Sequence, residues 1–443
     1  MTFKHVVIIV QENRTPDNVF GSNPNFEPGV DIAKFGMNSK GQKIDLTALP
    51  LVSCYDLSHT HNAFVSAFHR GKMDGADLVK VGKNPGCKVP DNPQFKFIDN
   101  SDGTVQPYFD LAMQYGFANR MFQTNQGPSF PAHQFLISGT SAPNATSPLF
   151  AAENMAYKSD AGCIAPPNQT VKLIDPHGSE TSNAPIYPCF DHATLTDLLN
   201  AAHLTWKYYT PTAGSIWSAP DAIHHMCVPK MQGDKLVCTG ADWVDNVVIP
   251  QTGVLTDIRN CKLANVSWVI PNALESDHAR STDGSGPAWV ASVVNTIGAN
   301  PTCPGTGEVY WKDTAIFITW DDWGGWYDHV PPYRIGQKNG WGKGYVYGLR
   351  VPLLVVSAYT PAGYVNNAIH DFGSILKFVE SNFGAPGAPL GPIGPGTYAD
   401  AYANNLILFF PLTTPRKFHM IKAKYNANYF LKTKQPLAGP DND

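Results

Sequence analysis

Two stretches of the chain are apolar without alternation. His5-Val-Val-Ile-Ile-Val10 and Thr314-Ala-Ile-Phe-Ile-Thr-Trp320 read as strands buried on both faces, the kind found centrally in a parallel sheet. Shorter strands are expected at Asn119–Asn125, Thr205–Thr210, Val266–Ile270 and Val351–Ser357. Helical periods alternate with them. One helix follows Ser58 or Thr60 as N-cap and stops at Gly71, and another runs from Pro107 to Gly116. A third opens at the turn Gly127-Pro-Ser129 and closes at Gly139. Further helices are expected at Asp191–Ala202, capped by Asp191, at Gly286–Ile297, and after Asp371. Strand-then-helix alternation predicts an α/β fold with a mainly parallel central sheet and helices on both faces. Residues 140–188 and 211–262 lack periodicity and read as loop insertions, and residues 384–443 as an arm wrapping one domain that spans 1–443.

Both buried strands end in polar residues. Gln11-Glu12-Asn13-Arg14-Thr15-Pro16-Asp17 follows the first, and Asp321-Asp322-Trp-Gly-Gly-Trp-Tyr-Asp328-His329 follows the second. Ligands of open α/β sheets bind beyond the carboxyl ends of strands. If the two strands are neighbours, Glu12, Asn13, Asp321 and Asp322 form an all-oxygen set suited to a hard divalent cation. The glycine pair allows a sharp turn and a close approach. Ser129 opens its helix where N-terminal amides face any anion, although that segment alone reads as an ordinary N-cap.

The totals narrow the function. With 443 residues, 43% hydrophobic, the chain can bury a sizeable core. Only 15% of residues are charged and the net charge is −4, so nothing attracts nucleic acid. No apolar run is long enough to span a membrane. The eight cysteines form no C-x-x-C pair and lie in Pro/Gly-rich surroundings, which favours disulfides and an oxidising compartment. Sequential pairing is expected: Cys54–Cys87, Cys163–Cys189, Cys227–Cys238 and Cys261–Cys303. No leader precedes the first strand, so a secreted or periplasmic location implies one already removed. Oligomeric state is not legible.

With Asp56-Leu-Ser-His59, Lys72-Met-Asp74-Gly, Gly127-Pro-Ser-Phe-Pro, Ser276-Asp-His278, the Asp321–Val330 block and His370 with Ser374–Glu380, the chain resembles the phosphoesterase family. That family contains bacterial acid phosphatases and phospholipases C, within the alkaline-phosphatase-like group. The resemblance runs over nearly the whole chain. It implies an alkaline-phosphatase-like three-layer sandwich and metal-dependent hydrolysis of phosphoric esters through a phosphoserine at Ser129. It also implies a shell of Glu12, Asn13, Ser129, Asp321 and Asp322 around one divalent ion (Ca, Mg, Mn, Zn or Fe). His59 and His278 would border the phosphate, and Asn13 would donate to a non-bridging oxygen. His224 or His225 could join from the second insertion, while His329 and His370 could equally be structural support. His5, His69, His177, His203 and His419 read as structural.

Phospholipases C of the family usually carry threonine and a following Asn-Arg where this chain has Ser129 and Ala132-His133. The chain also has no room for the extra C-terminal domains of the long phospholipases. Both points favour a small phosphomonoester over a phospholipid headgroup diester as substrate. A sulfatase is a weaker fit, because His133 stands where its modification motif needs arginine. A secreted binding protein on a retired scaffold would have lost Glu12, Ser129, Asp321 or Asp322, and all four are present. Packing of the loops accounts for Trp323, Trp326 and Trp341 better than contact with lipid.

Overall fold

The computed structural model describes residues 2–155, 160–335, 345–385 and 387–433, with the side chains of 182–184 left aside. Eight strands build the central sheet: β1 (His5–Gln11), β2 (Gly116–Ala118), β3 (Trp206–Tyr209), β4 (Val247–Val248), β5 (Val266–Val269), β6 (Thr314–Trp320), β7 (Leu353–Val356) and β8 (Tyr364–Asn366). Their order is β4-β3-β5-β1-β6-β7-β2-β8. Only β7 runs against the others. The two unbroken apolar runs are therefore the adjacent central strands β1 and β6, and every residue of both is buried.

Register decides what happens at their ends. His5 pairs with Thr314 and Gln11 with Trp320, so Glu12 and Asp321 leave the sheet side by side.

Helices cover both faces. The principal ones are α1 (His61–Phe68), α2 (Gln106–Gln114), α3 (Ser129–Ser138), α4 (Leu195–Ala201), α5 (Gly253–Arg259), α6 (Gly286–Gly298) and α7 (Phe372–Phe383). Successive strand residues point to opposite faces. Tyr208 and Trp268 are register partners, and the Trp268 indole donates to Leu136 O in α3 at 3.0 Å. The next residue, Tyr209, donates its hydroxyl to Asp257 in α5 at 2.8 Å. So α3, which packs on α7, lies on one face, and α5, which packs on α6, lies on the other. The α/β sandwich with a mainly parallel sheet is thus what forms.

Three expectations need correction. Residues 119–125 are not a strand: the sheet strand is Gly116–Ala118, and the residues after it make only isolated bridges, Met121 with His370 and Phe122 with Arg350. Gln123 and Asn125 of this stretch are engaged with the turn that carries Ser129. The cap of α4 is Thr194 in a capping box with Asp197, not Asp191, because the apolar period begins only at Leu195. The insertion at 211–262 is shorter than its composition suggests, since Val247–Val248 extends the main sheet and α5 belongs to a helix layer.

The 140–188 segment folds its own three-stranded sheet from Phe150–Ala151, Val171–Ile174 and Glu180–Ile186. The C-terminal arm touches both layers: Ala399–Tyr402 packs on α7, and the Phe430 ring lies 5.3 Å from Trp289 of α6. Residue 386 and residues 434–443 of that arm, like Trp341, fall outside the described residues. All eight cysteines pair, in the sequential order expected. No described helix is long and apolar enough to cross a membrane.

Candidate active site

The loops after β1 and β6 meet at once. Asn13 takes the left-handed conformation (φ 62°), which an asparagine tolerates better than most residues, and its amide donates to Asp321 Oδ1 at 3.0 Å. The same oxygen accepts from the Asp322 amide at 2.7 Å, and Asp322 Oδ1 accepts from the Gly324 amide at 2.7 Å. Gly324 also has positive φ, and a Cβ there would stand 2.2 Å from Asn13 O. Only glycine lets the two strand-end loops lie this close.

Ser129 arrives from the other side, at the first turn of α3. Its Oγ lies 3.3 Å from Asp322 Oδ2 and 3.5 Å from Glu12 Oε2. The turn before it is held by the stretch whose composition reads as a strand. Gln123 Nε2 donates to Asn125 O and Gly127 O, Asn125 Nδ2 donates to Gly127 O and Pro128 O, and Gln123 Oε1 accepts from the Trp323 amide. One glutamine thus ties the serine turn to the residue after Asp322.

His133 is a site residue that motif matching misses. It sits four residues after Ser129 on α3, and such residues share a helix face. Its Nε2 is 3.2 Å from Glu12 Oε1 and 3.9 Å from Asp321 Oδ2. The i, i+4 spacing from Ser129 is the signal that could have found it.

Glu12, His133 and Asp321 can each turn one ligand atom to within 4.8 Å of the other two. All three are fully buried, and so is Asp322. Burial, with the neighbouring Asp321 charge, pushes both Glu12 and Asp322 well above the ordinary carboxylate range. Burial pushes His133 down to about 4, so its imidazole is neutral and can act as a ligand. Among the described residues no lysine or arginine pairs with Glu12, Asp321 or Asp322. Asp321 Oδ2 and Asn13 Oδ1 are buried without a hydrogen-bond partner. Three desolvated carboxylates, a neutral imidazole and orphaned oxygens fit a bound cation.

Two imidazoles flank this cluster. Asn13 Nδ2 lies 3.3 Å from His59 Nε2, while His59 Nδ1 donates to Leu57 O at 2.9 Å. The His278 ring is 5.8 Å from that of His59, and its Nδ1 donates to Ala279 O at 2.7 Å and lies 3.7 Å from Asp56 Oδ2. Residues Glu12, Asn13, His59, Ser129, His278, Asp321 and Asp322 are therefore gathered through these contacts, with His133 added.

The other histidines in the motifs are held elsewhere. His225 is ion-paired to Asp197 at 3.3 Å. His370 contacts Asn366 Oδ1 at 3.2 Å and is pushed down to about 4 by burial. His329 joins a charged knot: its Nδ1 meets Asp17 at 2.8 Å and its Nε2 meets Asp31 at 2.9 Å. The buried Arg350 guanidinium donates to both oxygens of Asp328, to Asp17 Oδ1, and to the carbonyls of Asp31 and Asn119. Asp17, Asp328 and His329 also have ligand-like spacing, but Arg350 already supplies their positive charge. Arg14 plays a matching role under the site, donating twice to Asp277 O with its guanidinium 4.9 Å over the Trp326 ring. Trp323 and Trp326 are buried and face no lipid.

The model of the Phosphoesterase family matches residues 3–386. The chain belongs to that family. Curated relatives include the non-hemolytic phospholipase C of Pseudomonas aeruginosa, 24% identical over 86% of this chain and 54% of its own length. Phospholipase C B of Mycobacterium tuberculosis is 30% identical over 86% of this chain and 74% of its own. This phosphoesterase spans about half the length of the Pseudomonas enzymes it matches. Among solved structures, a Vibrio parahaemolyticus protein of the alkaline phosphatase superfamily is similar with a TM-score of 0.35 at 10% identity, covering 86% of this chain and 67% of its own. That likeness is too distant to argue from.

Proposed function

We propose that the protein hydrolyses phosphoric esters with Ser129 as nucleophile, through a phosphoserine, and that small phosphomonoesters are its substrates. The observation that carries this reading is the placement of Ser129 Oγ at a helix N-terminus, against Asp322 and Glu12, in a buried acidic cluster with one neutral imidazole. A divalent cation held by Glu12, His133 and Asp321, with Asp322 and Asn13 beside them, would lower the serine pKa and screen the approach of an anionic ester. The imidazole among the ligands favours zinc or iron over calcium, magnesium or manganese.

The chain's own groups supply the remaining chemistry. Asp322 or Glu12 accepts the hydroxyl proton as the Oγ–P bond forms and the bond from phosphorus to the alcohol oxygen breaks. The leaving oxygen takes a proton from His59 or His278. Asn13 Nδ2, oriented by its His59 contact, donates to a non-bridging oxygen as charge develops there. Water then attacks phosphorus while the histidine that protonated the leaving oxygen takes a proton from it, the P–Oγ bond breaks, and Oγ takes back the proton held by the carboxyl.

Phospholipase C activity is the second reading, favoured by the names of the curated relatives. The four disulfides support an exported protein. The test is a hydrolysis assay across pH, with and without chelator, on p-nitrophenyl phosphate, p-nitrophenyl phosphorylcholine and p-nitrophenyl sulfate. Chelator-sensitive turnover of the monoester is the expected result. Preference for the phosphorylcholine diester would establish the second reading, and turnover of sulfate alone would overturn both.

A further inference from the structure

A cavity of about 340 Å³ lies beside the candidate site, lined by Thr60, Asn62, Glu153, Asn154, Thr170 and Lys172, with Pro185 at its edge. It shares two walls with the site. Thr60 follows His59, and Asn154 Oδ1 accepts from the amide of Phe130, the residue after Ser129, at 3.0 Å. The contact is close: a Cβ on Gly127 would stand 2.0 Å from Ala152 O.

Among the described residues this cavity holds one polar group that the fold leaves unused. Asn154 is 8% exposed, and its Nδ2 has no hydrogen-bond partner. Glu153 is almost as buried; one of its oxygens accepts from the His61 amide at 2.9 Å. Burial, reinforced by the charge of Glu180 and a hydrogen bond shared with it, lifts Glu153 to about 8, so at neutral pH the carboxyl is protonated and keeps spare acceptor lone pairs. Lys172 is ion-paired to Glu180 at 3.3 Å on the outer side. None of the described residues lining the cavity is aromatic, so a quaternary ammonium would find no ring face. Hydroxyl, amide and carboxyl groups in a wet pocket match hydroxyl groups in turn.

We propose that this cavity binds the polyhydroxylated alcohol portion of a phosphate ester, a sugar or cyclitol, whose phosphate lies at Ser129. The inference rests on the phosphoesterase reading and narrows its substrate class. Glu153 and Asn154 Nδ2 contact the hydroxyl groups, and Thr60 and Thr170 close the sides.

The experiment compares kcat/KM for glucose 6-phosphate and for myo-inositol phosphate with that for p-nitrophenyl phosphate. It is run on the wild type, on Glu153→Leu, which removes the carboxyl, and on Thr170→Phe, which fills the cavity. Expected is a fall of about tenfold or more in the sugar-to-aryl ratio for both variants, since a site built for hydroxyl groups discriminates through them. Calorimetric titration of glucose 6-phosphate into Ser129→Ala protein is expected to show binding that Thr170→Phe weakens by a similar factor. Ratios unchanged within about twofold in both variants overturn the proposal while p-nitrophenyl phosphate is still turned over. Loss of all phosphate ester turnover in the wild type would instead sink the phosphoesterase reading itself, and this proposal with it.

Discussion

Arg350 is the sharpest test of how the two strand-end loops are held. Its guanidinium is fully buried and is shared between Asp17, from the loop after β1, and Asp328, from the loop after β6. Replacing it by methionine keeps most of the packing volume and removes the charge. Asp17 would keep His329 and the Ala33 amide. Among the described residues Asp328 would keep only the Val330 amide, the Asp31 carbonyl would lose its donor, and the Asn119 carbonyl would keep only the Arg120 guanidinium. Removing one partner of a buried ion pair costs about 3–5 kcal/mol, because the other charge stays desolvated and unpaired.

The loss has a pH signature. Burial already lifts Asp328 to about 6 despite the guanidinium, and without Arg350 it rises further. An acid with a raised folded-state pKa favours the folded state at low pH, so the deficit of Arg350→Met narrows as pH falls from about 8 to about 5. Urea unfolding followed by tryptophan fluorescence reads both effects. Lys4→Met is the control, since Lys4 is half exposed and its pairs with Glu308 and Asp313 are worth less than about 1 kcal/mol. A loss for Arg350→Met as small as that of the control, with no pH dependence, would refute the idea that this knot clamps the loops.

Burial draws the His329 pKa down, but the Asp17 hydrogen bond and the charges of Asp17 and Asp328 more than reverse this, to about 9. Its contribution, roughly 3 kcal/mol, is fully present below the unfolded value of 6.5 and is lost as pH rises through about 9. Between about pH 6 and pH 10 the wild type should lose that much more stability in urea than His329→Gln does. A cation bound among Glu12, His133, Asp321 and Asp322 would displace protons from Glu12 and Asp322, both held high by burial, so affinity should increase with pH and calorimetry in two buffers should detect proton release. His133→Ala should weaken that binding as Asp321→Asn does; an unaltered affinity would remove His133 from the ligand set. Replacing Cys261 and Cys303 together by serine opens a loop of 42 residues and should cost about 4 kcal/mol in the unfolding free energy.

Much of the site is legible in the sequence because the chemistry sits at the ends of the two most apolar segments. The unbroken runs of β1 and β6 read as central strands, and their in-register pairing makes Glu12 and Asp321 neighbours. His133 escapes a motif reading, where it stands for a missing arginine rather than for the residue one turn below Ser129. The stretch from Asn119 to Asn125 has the composition of a strand, yet its Gln123 and Asn125 side chains bind backbone of the serine turn, a tertiary use that no local pattern announces. Arg350 is equally hidden. It comes from just before β7, and nothing in its spacing points to Asp17 or Asp328, which it reaches only once the sheet has formed. Histidines inside motifs are ambiguous for the same reason: His329 and His370 belong to the support of the loops, not to the acidic cluster.

The central claim is that Ser129 is the group that attacks phosphorus. The most direct measurement is the steady-state rate of p-nitrophenyl phosphate hydrolysis by Ser129→Ala, alongside its urea unfolding curve. Ser129 is buried at the start of α3 and its hydroxyl contacts only Asp322 and Glu12 among the described residues, so the variant should fold with stability close to that of the wild type. The expected result is turnover reduced at least about a thousandfold with the unfolding midpoint nearly unchanged. Near-normal turnover by the folded variant would contradict the assignment of Ser129.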